Sequence, residues 1–151
     1  MIANAGPTSD LGPALAIMAQ AEPARSAQVT RIYLDRLAYT PEMLAEAAVL
    51  YTYALLDSPQ RMLDGMGIAA ADIQAIRQAM AAGGPAAAAR HVTPEMIRRY
   101  QIAGTPDECR AAVRELIGAH RLDVFVMNIV SGGLAANRRL LEDVRDIVQG
   151  S

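Results

Sequence analysis

The spacing of apolar positions changes several times along the 151-residue chain, and each change marks a predicted element. Residues 1–5 are a short apolar run closed by Gly6-Pro7-Thr8-Ser9-Asp10, which predicts a strand and then a turn. Leu11, Leu15 and Met18 recur at three- and four-residue spacing and predict a helix over 11–21. After a loop over 22–28, residues 29–39 place Val29, Ile32, Tyr33, Leu34, Leu37 and Tyr39 in a β-branched and aromatic stretch. That stretch predicts a second strand.

Four later helices share one start signal, Ser or Thr followed by Pro, at Thr40-Pro41, Ser58-Pro59, Thr93-Pro94 and Thr105-Pro106. The hydroxyl can accept from an orphan N–H, and proline in the first helical position loses no hydrogen bond. Thr105 and Glu108 also have capping-box spacing. The first of these helices is expected over 41 to about 56, with Met43, Leu44, Ala47, Leu50 and Leu55 inward. A short one covers 61–66. Asp72 is expected to cap a helix carrying Ile73, Ile76 and Met80, which stops at Gly83-Gly84-Pro85. The alanine-rich residues 85–90 read as too small to anchor a core.

Residues 106–119 form an amphipathic pattern through Cys109, Val113, Leu116 and Ile117. The most continuous apolar run, 122–130, predicts a central parallel strand covered on both faces. Ser131-Gly132-Gly133 then leads to a helix over 134–148, with Leu134, Leu141, Val144 and Val148 as its buried stripe. Strands alternating with helices predict an α/β fold built of parallel βα units, in one domain over 1–151.

Composition adds exclusions. Apolar residues at 52% and charged residues at 20% exclude disorder, and thirty alanines favour helix. The 14 basic residues against 16 acidic ones leave a net charge of −2, which argues against nucleic-acid binding and against a polybasic membrane contact. All the basic residues are Arg, so neither Schiff-base chemistry nor a P-loop lysine is available. The lone Cys109 cannot form an internal disulfide or a multi-cysteine zinc site. With no secretory leader pattern and no apolar run of about 20 residues, a soluble cytoplasmic chain is expected.

The dinucleotide fingerprint, the P-loop, the zincin motif and the nucleophile elbow are all missing from the sequence. His91 and His120 read as a loop residue and a helix-end residue, and Cys109 as a packed thiol. Two segments admit a functional reading: Asn4-Ala5-Gly6-Pro7-Thr8-Ser9 and Ser131-Gly132-Gly133. Each follows a predicted strand and enters a helix, so backbone N–H groups could meet an anion there. The alternative is that small residues simply make tight turns.

The stretch from Thr93 to Arg110, continued by Leu122-Asp-Val-Phe-Val-Met127, resembles the luciferase-like monooxygenase family. More narrowly, it is similar to the deazaflavin-dependent oxidoreductases related to methylenetetrahydromethanopterin reductase. Ile102-Ala103-Gly104-Thr105-Pro106-Asp107-Glu108-Cys109 matches the run that opens their last helix before the final barrel strand. The resemblance implies a (β/α)8 TIM barrel, of which this chain is the C-terminal part: about three βα units plus extra helices. The three predicted strands would be the sixth, seventh and eighth.

By the same resemblance Asn4, Ala5, Gly6 and Thr8 lie beside the tail of the cofactor, coenzyme F420 (a deazaflavin) or FMN, with Pro7 where relatives often carry a basic residue. Ser131, Gly132 and Gly133 join them as the second anion-contacting candidate. The implied function is flavin- or deazaflavin-dependent oxidoreduction of a small-molecule substrate. Three strands cannot close a barrel, so the chain is expected to be an inactive fragment that self-associates or meets a partner supplying the rest. No catalytic residue and no metal site is assigned. The competing expectation is a mostly helical, non-enzymatic assembly module around residues 83–89.

Overall fold

The computed structural model describes residues 2–4, 11–20, 32–120, 122–127 and 134–149. Strand β1 (Ile2–Asn4) is followed by helix α1 (Leu11–Gln20), then by β2 (Ile32–Asp35) and β3 (Leu37–Ala38). Four helices come next: α2 (Pro41–Asp57), α3 (Gln60–Gly65), α4 (Ala70–Ala88) and, after a 3-10 turn over Ala89–His91, α5 (Pro94–Arg98). The chain ends with β4 (Ile102–Ala103), α6 (Pro106–His120), β5 (Val124–Met127) and α7 (Leu134–Gln149).

The described strands form two parallel sheets. In the larger, β2 lies between β1 and β5, with Ile2 beside Ile32, and Ile32 beside Val124. In the smaller, β3 pairs with β4, placing Leu37 beside Ile102. The expected parallel βα architecture is present, with two differences. Residues 29–39 do not make one strand: pairing is interrupted at Arg36, whose N–H donates to the Asp35 carboxylate instead of to a neighbouring strand. The described part of 122–130 is parallel but lies outside β2, which is the central strand. Nor is it covered on both faces, since Val124 and Val126 are exposed: an apolar run by itself fixes neither a strand's place in the sheet nor its cover.

The proline starts behave as their chemistry requires at three of four positions. The Thr40 and Thr93 hydroxyls accept from the N–H groups of Met43 and Met96. At the third, Glu108 N–H donates to Thr105 Oγ1 while Thr105 N–H donates to Glu108 Oε2, completing the capping box. Gly104 makes room for it: its φ is +151°, and a Cβ there would lie 2.6 Å from Glu108 Oε2. Ser58 is the exception. It ends α2, donating to Ala54 O at 2.7 Å, and Pro59 stands at the α3 cap. Asp72 likewise lies inside the first turn of α4 rather than at its cap.

Gly83 and Gly84 break α4 as expected, Gly84 at φ +70°, and Pro85 restarts it. The alanine-rich restart is not peripheral. Ala88 is fully buried in the main core, beside Ile73, Ile76, Leu55 and Ile97, because a small side chain allows close helix approach. This core belongs to the helical lobe α2–α5. On α2, Ala47 and Leu55 are buried as expected, together with Ala48, Tyr51 and Thr52, whereas Leu50 is exposed. On α7 the inward residue is Leu140; Leu141 is exposed, Val144 is partly buried, and the Leu134 and Val148 side chains lie outside the described set.

Helix α6 covers one face of the larger sheet. Tyr33 packs with Leu11, Leu122 and, from α6, Leu116 and Ile117, while Leu37 packs with Cys109 and Val113. Among the described residues the opposite face is open at β5, where Val124 and Val126 are 41% and 39% exposed.

Candidate functional site at the C-terminal edge of the sheet

Because β1, β2 and β5 run parallel, Asn4, Asp35 and Met127 end at one edge of the sheet. Ligands of open and closed βα sheets gather at this edge. Asn4 and Met127 flank β2, so the two strand ends stand about 10 Å apart, twice the usual interstrand spacing. Of the candidate cofactor contacts, Asn4 is the last residue of β1; Ala5, Gly6, Thr8, Ser131, Gly132 and Gly133 lie outside the described residues.

The chemistry visible at this edge centres on Asp35, which sequence reading did not select. It is 5% exposed. Tyr33 Oη donates to its Oδ2 at 2.8 Å, and the Arg36 N–H donates to its Oδ1 at 2.6 Å. Burial pushes the carboxyl up to about 6, while those two bonds, the Arg36 charge and the Ile102 N–H pull it back. A lone acid in an apolar strand ordinarily reads as a solvent-facing position. Its signal here is the alternation of Tyr33, Asp35 and Leu37, which share the covered face.

A polar seam continues from Asp35 into the helical lobe. Tyr51 on α2 donates from Oη to Oε1 of the buried Gln101 at 2.9 Å. Burial first, then the Asp35 charge, raises the Tyr51 phenol to about 12. Its ring stacks on Tyr100 with centroids 5.2 Å apart and planes 26° apart, and the Tyr100 and Ser58 hydroxyls are 2.9 Å apart. Tyr39 ties β3 to α7 by donating to Asp143 Oδ2 at 2.9 Å.

A cleft of 270 Å³ lies between α6 and the α5–β4 turn, lined in part by Arg98, Gln101, Glu115, Leu116 and His120. It falls just below the range of about 300–1,000 Å³ typical of small-molecule sites, and the Arg98 guanidinium is engaged by Glu95 at 2.7 Å. Among the described residues, no group of three His, Cys, Asp or Glu is placed to hold a metal ion. His91 is exposed on its turn. Cys109 is fully buried, its thiol raised to about 11 by burial and the Glu108 charge, in keeping with a packing role. No helix among the described residues is long and apolar enough to cross a membrane.

No family model matches the chain, and no curated protein matches it. Among solved structures it is similar to the coenzyme F420 dependent tetrahydromethanopterin reductase from Methanopyrus kandleri, with a TM-score of 0.76 and 17% sequence identity. The match covers 98% of this chain and 44% of that one, so the chain spans less than half of its structural neighbour's length. At this identity the likeness is one of fold: a mostly helical α/β chain with a small parallel sheet, similar to part of a luciferase-like TIM barrel.

Proposed function

We propose that the chain is the C-terminal part of a luciferase-like oxidoreductase that uses coenzyme F420 or, less in keeping with its structural neighbour, FMN. The observation that carries this reading is the match of 98% of the chain to an F420-dependent reductase fold. The sequence resemblance around 93–110 and 122–127 supports it independently of the backbone. In this reading β1, β2 and β5 are the last three barrel strands, and the lobe α2–α5 is an insertion after the seventh.

The described residues fit such a coenzyme in part. A flavin or deazaflavin ring needs an apolar surface, and the open sheet face bearing Val124 and Val126 offers one. When bound, the coenzyme would supply the hydride chemistry, and the protein would supply position and electrostatics. Asp35 is turned to the covered face against Tyr33, so its part is to hold the end of β2 in place. The chain alone is expected to bind weakly and not to turn over, because three strands enclose no site.

The test is a fluorescence titration of coenzyme F420 and of FMN with the purified chain. Weak, saturable binding of F420 without turnover is the expected result. Absence of binding for both coenzymes, in dilute and in self-associated chain alike, would remove the oxidoreductase reading.

A second reading has one observation of its own. Val49, Leu50 and Tyr53 form an exposed stripe on α2, and among the described residues the main core beneath contains none of β1, β2 or β5. A non-enzymatic helical assembly module would have both features. It predicts a lobe that stays folded when the sheet is disrupted.

A further inference from the structure

We infer that Arg36 is an anion-binding residue at the C-terminal edge of the sheet, taking the phosphate group of a small-molecule ligand. The inference rests on the barrel reading for the placement of a ligand at that edge.

Three observations carry it. The first is position. Arg36 directly follows Asp35, the last residue of the central strand, with β1 ending on one side and β5 on the other. In sequence, the segments that follow those outer strands, 5–10 and 128–133, contain no cationic residue, whereas Arg36 directly follows the C-terminal end of β2. The second is orientation. Tyr33, Asp35 and Leu37 alternate onto the face covered by α6, which turns the half-buried Arg36 towards the open face. Its main chain is fixed, because its own N–H is held by Asp35 at 2.6 Å.

The third is availability. Arg98, Arg110, Arg138 and Arg145 each pair with a carboxylate, whereas among the described residues no ion pair engages the Arg36 guanidinium. Asp35 and Tyr51 feel its charge, but Asp35 already accepts from Tyr33 and the main chain. A planar guanidinium with free donors beside a half-apolar surface matches the bidentate geometry of a phosphate group.

The test is a titration of the 15N-labelled chain with inorganic phosphate, following the Arg36 side-chain Nε–H resonance. Its assignment comes from its absence in Arg36→Met. A saturable shift at Arg36 larger than that at Arg98, unchanged by chloride at equal ionic strength, is the expected result, with phosphate affinity about tenfold lower in Arg36→Met. An Arg36 resonance that moves no more than Arg98 overturns the inference. Adding FMN, riboflavin and coenzyme F420 separates the sources. Displacement of phosphate by FMN and F420 but not by riboflavin assigns the group to the coenzyme tail, and coenzyme binding without displacement assigns it to another ligand. Phosphate binding with no coenzyme binding leaves Arg36 standing and the oxidoreductase reading fallen; coenzyme binding past an unmoved Arg36 does the reverse.

Discussion

Tyr33 donates its phenolic proton to Asp35 across 2.8 Å, two residues apart on the same covered face of the central strand. This pair sets a pH dependence. Asp35 holds its proton up to about 6 in the folded chain, against an ordinary value of 3.8. Its protonated form therefore favours the native state: the contribution is complete below 3.8 and is lost as pH rises through about 6. The size is at most about 3 kcal/mol. Denaturant unfolding between pH 4 and 7 should show wild-type stability falling relative to Asp35→Asn. Parallel pH profiles for the two proteins would show that Asp35 titrates normally.

Gly104 and Glu108 should prove coupled. Gly104→Ala places a Cβ 2.6 Å from Glu108 Oε2 at a φ of +151°, and should cost about 1–3 kcal/mol. In Gly104→Ala/Glu108→Ala the contact with Oε2 disappears while the 3.1 Å contact with the residue 108 Cβ and the positive φ remain, so the double variant should lose less than the sum of the singles. Strict additivity in chemical unfolding would separate the glycine from the capping box.

Tyr51→Phe should destabilise the helical lobe by about 1–2 kcal/mol, because it leaves the buried Gln101 Oε1 without its donor. Tyr51→Phe combined with Gln101→Leu should recover part of that loss in thermal unfolding. A Tyr51→Phe variant as stable as the wild type would mean that the stacking on Tyr100, which Phe keeps, carries the contact rather than the hydrogen bond.

Cys109 should be slow to alkylate. Its thiol stands at about 11 rather than 9, so the thiolate fraction at pH 8 is about 100-fold below that of an ordinary cysteine. Iodoacetamide should modify the native chain at least that much more slowly than the urea-unfolded chain. Equal rates would place the thiol at the surface.

The sequence made the helices legible wherever the signal was local chemistry. Thr40, Thr93 and Thr105 cap as their positions require, and Gly83-Gly84-Pro85 interrupts α4. Ser58 misleads because the same hydroxyl can serve the helix behind it as easily as the one ahead. The break at Arg36 depends on which acceptor a single N–H finds, and β4 is two residues long, so neither leaves a periodic trace. Leu50 and Leu141 read as inward from spacing alone, yet the tertiary neighbours select Ala48, Tyr51 and Leu140. Of the candidate site residues only Asn4, at the end of β1, is among the described ones, and the chemistry at the end of β2 was not legible. Asp35 becomes distinctive only once Tyr33, Ile102 and Tyr51 gather around it from separate elements.

Val124 and Val126 expose one face of β5, and the proposed partial barrel would turn that face inward. Sedimentation velocity of the wild type over a concentration series, beside Val124→Glu/Val126→Glu, tests it most directly. Exposed apolar faces and unpaired strand edges drive association. The wild type should therefore form larger species as concentration rises, and the variant should associate less while keeping its helical circular dichroism. A wild-type chain that sediments as a single monomer at every concentration and unfolds in one cooperative step would contradict the partial-barrel account.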